Sequence, residues 1–162
     1  MLPQTINELE AIREECKSMV TKRAGVSATA AIVPVPGMDI GADVALLLEM
    51  IPAINRKFGV TPDQLDGIDP KIKQMILVAA TSIGSEMIGK YITKEIIIQV
   101  LKKIGVRIAT KQVAKYIPIL GQALSAGISF GAMKLVGNSH VDECYTVVKR
   151  AVEAQARAKV SP

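Results

Sequence analysis

Apolar residues recur along this chain at the three-and-four spacing of α-helices, and no stretch alternates with period two over a useful length. Thr5 with Glu8 three residues on reads as a capping box, after which Leu9, Ile12, Cys16, Met19 and Val20 fall on one face. From Gly25 the polar face disappears: residues 26–33 read VSATAAIV and end at Pro34-Val-Pro36-Gly37, which no helix crosses unbroken. Asp39 is placed to cap the next helix, in which Ile40, Val44, Leu47, Leu48, Ile51 and Phe58 share a face until Gly59 closes it. Pro52 is expected to kink that helix. Thr61-Pro62-Asp63-Gln64 sets a cap, an N1 proline and an N3 glutamine in register for a short turn, and Asp69-Pro70 repeats the device.

Residues 70–91 are apolar nearly all round, which predicts a central, buried helix. Residues 93–104 and 106–117 form two further helical stretches, parted at Gly105 or continuous through it. Pro118 opens another that runs to about Val136, and Gly137-Asn138 is expected to end it. Ser139 with Asp142 three residues on then predicts a last amphipathic helix, with Val141, Cys144, Tyr145, Val148 and Val152 on its apolar stripe. The pattern predicts an all-α protein: one domain over residues 1–162, a compact bundle of about six to eight helices. Gly25-Val26 leading to Pro34-Val-Pro-Gly37 is echoed by Gly105-Val106 leading to Pro118-Ile-Leu-Gly121, which suggests two helix–PxxG–helix hairpins related by pseudo-symmetry.

Composition sharpens this picture. Hydrophobic residues make up 49% of the 162, yet Trp is absent and there are only 3 Tyr and 2 Phe, so the interior is built from aliphatic side chains. A chain of this length buries a core without disulfides or metal. Cys16 and Cys144 are expected as reduced thiols in a cytosol-facing protein, because the N-terminus leads into a charged segment, Asn7 to Lys17, rather than a signal peptide. A bridge between them stays open as an alternative, since both lie on apolar stripes. The net charge of +5 is unevenly placed: residues 1–89 sum to −3, residues 90–134 to +7 and residues 135–162 to +1.

Candidates for chemistry are few. Gly84-Ser-Glu-Met-Ile-Gly89-Lys90-Tyr91 matches most of a phosphate-binding loop, but a tyrosine replaces the hydroxyl that ligates Mg²⁺ and the segment is expected to continue a helix. Its glycines are read instead as contact points for neighbouring helices. Asp39 and Asp43 suit the first turn of a helix dipole, and His140 with Cys144 supplies only two ligands. With a single histidine and no partnered nucleophile, no enzyme activity, cofactor or metal site is expected.

Two patterns suggest binding instead. Lys103, Arg107, Lys111 and Lys115 recur every four residues as a basic ridge suited to anionic headgroups or an acidic protein, or simply to solvent. No aromatic is interleaved with them, which argues against nucleic acid. Ala123, Gly127 and Gly131 form one small-residue ladder, and Gly121 begins a second with Ser125 and Ser129. Such ladders let helix backbones approach closely, in a bundle or in a bilayer.

The run from Ala30 to Ile51, carrying Pro34, Pro36, Gly37 and Asp39, then Phe58-Gly59-Val60 and a Gly/Ala-rich helix after Pro118, resembles the YcjF-like bacterial helical family of unknown function. The resemblance covers residues 20–152, with Pro34, Pro36, Gly37 and Asp39 as its structural loop. It implies an inner-membrane-associated module linked to Era-like GTPases, although no GTPase domain is present in this chain. The expectation is therefore a non-enzymatic helical module that lies on, or partly inserts into, the inner membrane from the cytoplasmic side, with a GTPase or an acidic protein as partner. A soluble homo-oligomeric scaffold and a pore-forming helical domain are the alternatives.

Overall fold

A computed structural model describes residues 1–30, 39–112 and 123–160, with side-chain surroundings for 1–25, 44–103 and 130–159. Among the described residues there are six helices and no strand: α1 (Ile6–Ala30), α2 (Asp39–Phe58), α3 (Pro62–Asp66), α4 (Pro70–Ser82), α5 (Lys94–Gln112) and α6 (Ala123–Val160). The all-α expectation holds. Both PxxG connections, residues 34–37 and 118–121, lie outside the described residues, and with them the suggested hairpin symmetry.

The caps form where side-chain chemistry places them. Thr61 and Gln64 exchange hydrogen bonds as a complete capping box before α3. Asp69 accepts from the Lys71 and Ile72 amides at the start of α4. At α1 only half the expected box is made: Thr5 accepts from the Glu8 amide, while Glu8 reaches back to the amide of Gln4 instead of Thr5. Each such cap stabilises its helix by about 1 kcal/mol.

Helix α6 organises the fold. At 38 residues it is about 57 Å long and packs on α1, α2, α4 and α5. Glu10 meets Tyr145, Arg13 meets Asp142 and Val20 faces Gly137, so α1 runs antiparallel along it. Leu9, Cys16 and Val20 bury against this seam, and so do Val141, Cys144 and Val148. Each fully buried aliphatic side chain contributes roughly 1.5–3 kcal/mol. Arg13 Nη2 lies 2.8 Å from Asp142 Oδ1 and stacks its guanidinium over the Tyr145 ring, closing one edge of the seam.

Two boundaries differ from the sequence expectation. The expected break at Gly137-Asn138 does not occur, and α6 runs through it; Asp142 consequently serves Arg13 and Lys17 rather than a capping box. Gly137 is in the helix because α1 and α2 press on it: an added Cβ would sit 2.6 Å from Val20 Cγ1 and 2.9 Å from Met50 Cε. The stretch 70–91 stops at Ser82, because Gly84 takes φ +72° and the amides of Gly84 and Ser85 bond back to Thr81 and Ala80. That is a Schellman-type stop, which needs the left-handed residue that glycine supplies. Nor is α4 central. It buries Ile76, Ala79 and Ala80 but leaves Val78 61% exposed. Of the two arrangements expected at Gly105, the continuous one is found: α5 runs through it over Lys94–Gln112.

Candidate functional site

The polar interior is concentrated at one place, where α2, α6 and the turn after α4 meet. Asn55 and His140 are the buried polar residues among those described. Asn55 Nδ2 donates to the Met87 carbonyl at 2.9 Å, which fixes the amide and leaves Oδ1 as the acceptor for His140 Nε2 at 2.7 Å. The Nε2 of His140 therefore carries a proton. Cys144 Sγ lies 3.7 Å from the same Oδ1 and 3.6 Å from Nε2, so the expected His140–Cys144 proximity on α6 is real.

The other face of the imidazole is different. His140 Nδ1 has no hydrogen-bond partner although the side chain is wholly buried, and Glu143 Oε2 stands 3.6 Å away, beyond hydrogen-bond reach. Ser85 Oγ donates to the same Oε2 at 2.7 Å. Burial alone pushes the Glu143 carboxyl up, but the facing His140 and the Ser85 hydroxyl outweigh it and hold the group below its ordinary value. His140 and Glu143 line a cavity of about 160 Å³ whose wall includes Glu86, Met87, Val100, Lys103 and Ser139.

The basic ridge falls partly within the described residues. Lys103 is exposed on α5 and ion-paired with Glu86 at the lip of the cavity, so its charge is matched within the chain. Arg107 and Lys111 follow at four-residue steps on the same helix, though their side chains lie outside the described residues, as does Lys115 altogether. Lys94 and Lys102 are exposed on α5. Of the small-residue ladder, Gly121 is outside the described residues, and Ala123 and Gly127 are on α6 with surroundings not described. Gly131 is exposed, and an added Cβ there would meet no described atom. Pro34, Pro36 and Gly37 fall outside the described residues, while Asp39 is the first residue of α2.

The phosphate-loop look-alike is a turn, not the helix expected. Gly84 and Gly89 both have positive φ, yet the segment follows a helix, and three of its amides are engaged: Gly84 and Ser85 close the α4 cap and Gly89 donates to Val60. Both glycines of the look-alike thus spend their N–H groups on the chain itself rather than on a phosphate. Gly89 is a contact point, since its Cβ would lie 2.8 Å from Leu77 Cδ2, whereas Gly84 faces open space.

Both cysteines are free and buried. Burial pushes the Cys16 thiol up to about 11 despite nearby Lys57, and burial with the neighbouring Glu143 pushes Cys144 well above its ordinary value. Neither thiol is expected to react with Ellman's reagent in the native protein, whereas both react after denaturation. Because the folded state raises Cys16 above its ordinary 9.0, its contribution to stability is complete below pH 9.0 and is lost as pH rises through about 11. A urea-unfolding series from pH 7 to 11 checks this, with a falling midpoint expected only on the alkaline side.

Fold and site together define an all-α helical module with one polar interior cluster among the described residues. No protein-family profile matches the chain, so the resemblance to the YcjF-like family rests on the residues that carry it. No solved structure matches it. The chain is similar to interferon-inducible GTPase 5 of Bos taurus, at 27% identity over 130 residues, covering 77% of this chain and 28% of that protein. It thus spans little more than a quarter of the length of the curated relative it matches.

Asn55, Ser85 and Glu143 escaped the sequence reading. The spacing of His140 and Glu143, three apart on a helix, was the available signal. Asn55 and Ser85 carry none, since 85 and 58 residues separate them from their partners.

Proposed function

We propose that the chain is a non-enzymatic helical accessory module of a GTPase system, attached to an anionic membrane surface through α5. The observation that carries the GTPase link is the likeness of 77% of this chain to a GTPase from which it takes only 28% of the length. In the phosphate-loop look-alike of this chain the amides of Gly84, Ser85 and Gly89 are taken by backbone carbonyls, which fits a helical accessory portion better than a nucleotide site. The YcjF-like resemblance points the same way.

Attachment to a surface rests on charge. Residues 90–134 sum to +7, and α5 carries Lys94, Lys102, Arg107 and Lys111 on one helix, with Lys103 held by Glu86. No helix among the described residues is long and apolar enough to cross a membrane, which favours surface contact over spanning. Each basic side chain near an anionic leaflet contributes about 1 kcal/mol. Reversing two, in Arg107→Glu with Lys111→Glu, removes two attractions and adds two repulsions, so affinity for phosphatidylserine-containing vesicles at low salt is expected to fall about a thousandfold. Unchanged binding by the double variant removes α5 from the contact.

A second reading has its own observation. Pro70, Lys73, Gln74, Leu77, Val78, Thr81 and Ser82 border an open, mainly apolar groove of about 650 Å³ on α4, which favours a protein contact such as a homo-oligomer. Sedimentation equilibrium without lipid separates this reading from the first.

A further inference from the structure

We infer that Glu86 is a built-in competitor for the basic ridge of α5, an autoinhibitory contact that holds Lys103 until an anionic lipid headgroup takes its place. The inference rests on the surface attachment proposed above and adds its regulation. Lys103 is the first member of the four-residue repeat that continues through Arg107 and Lys111, and its ammonium is ion-paired with the Glu86 carboxylate. Both side chains keep contact with solvent, 59% and 35% exposed, so a charged surface can reach the pair.

Glu86 is not a loose surface acid. It lies in the turn between α4 and α5, and the residues on either side of it are pinned to the polar cluster: Ser85 Oγ donates to Glu143 Oε2 at 2.7 Å, and the Met87 carbonyl accepts from Asn55 Nδ2 at 2.9 Å. Gly89, in the same turn, donates its amide to the Val60 carbonyl. The carboxylate is thus presented at a fixed place, on the lip of the cavity that Val100 and Lys103 of α5 also line. An ion pair with one partner already positioned loses less side-chain freedom on forming. Each four-residue step along the ridge rises about 6 Å and turns about 40° around the helix axis, which carries the backbone at Arg107 and Lys111 away from that lip. Glu86 therefore meets the ridge at its first member.

The balance between the two partners of Lys103 is close. A part-exposed ion pair favours its paired form by about fivefold at most, and one basic side chain near an anionic leaflet gains about fivefold in affinity. Glu86 prevails where anionic lipid is sparse, and headgroups prevail where it is dense. The contact thereby raises the surface charge at which Lys103 joins the attachment, and it ties that exchange to a turn anchored in the protein interior.

The test is co-sedimentation of the full chain with phosphatidylcholine vesicles carrying increasing phosphatidylserine, at one fixed low ionic strength. Glu86→Gln, which keeps the shape of the side chain, is expected to raise affinity about fivefold and to lower the phosphatidylserine content needed for half-maximal binding. In a Lys103→Gln background the same substitution frees no lysine, and its gain should fall below about twofold. Asp66→Asn, which makes the same change of charge on α3 by releasing Lys73, measures the effect of net charge alone and should also stay below about twofold. Equal gains from Glu86→Gln with and without Lys103 would show that Glu86 acts only through net charge and would overturn the inference. No gain, in a chain whose binding is still abolished by Arg107→Glu with Lys111→Glu, would overturn it while leaving attachment through α5 in place. A wild-type chain that binds at no phosphatidylserine content would remove the attachment and this contact's role together.

Discussion

Replacing Gly137 by valine is expected to lower stability by about 3 kcal/mol, seen as a fall in the urea midpoint at unchanged slope. An added Cβ alone lies 2.6 and 2.8 Å from the two Val20 methyls and 2.9 Å from Met50 Cε. The Met50 tip can swing away, but Val20 is β-branched and stiff, and its side chain is fully buried in the α1 seam. Helix propensity offsets only a few tenths of a kcal/mol of this overpacking. Gly131→Ala, in the same helix but facing open space, is the matched control and should instead stabilise by about 0.5–1 kcal/mol. Destabilisation by Gly131→Ala would show that the ladder residue Gly131 is a packing contact after all.

Asn55→Leu is expected to cost about 3 kcal/mol although the side chains are similar in size. The substitution strands two buried groups, the Met87 carbonyl and the Nε2–H of His140, each of which loses its partner without gaining water. It also removes the fixed acceptor of Nε2, so the ¹⁵N signal of that nitrogen in the single histidine should move from its wild-type position. An Asn55→Leu variant as stable as the wild type would mean that Asn55 does not hold the cluster.

Much of this fold can be read from local chemistry. Thr61 with Gln64 and Asp69 with Pro70 specify helix starts through side chains within a few residues of the amides they cap, and Gly59 closes α2 with φ +75° as its position implies. The apolar stripe Leu9–Cys16–Val20 likewise names the buried face of α1. What misled was glycine. Gly137 carries the local mark of a helix end, yet it sits mid-helix because α1 and α2 approach too closely for any side chain, a fact set by residues 117 and 87 positions away. Gly84 reads as interior to an apolar helix, yet it ends one. The same glycine serves both uses, and only tertiary contact decides between them.

The polar cluster illustrates a second limit. His140 and Glu143 are neighbours on one helix turn and were within reach of sequence reasoning, whereas Asn55 comes from α2 and Ser85 from the turn after α4. The pairing of Lys103 with Glu86 had no sequence signal either, since 17 residues and a change of element separate them. It alters the functional reading, because it shifts the charge proposed to face the membrane from Lys103 toward Arg107 and Lys111.

Flotation of the purified chain with anionic vesicles over a salt series tests the central proposal most directly. Surface attachment through α5 predicts co-flotation at low ionic strength that is lost as salt shortens the Debye length from about 30 Å at 0.01 M to about 8 Å at 0.15 M. A chain that stays with the soluble fraction at every salt concentration would contradict it.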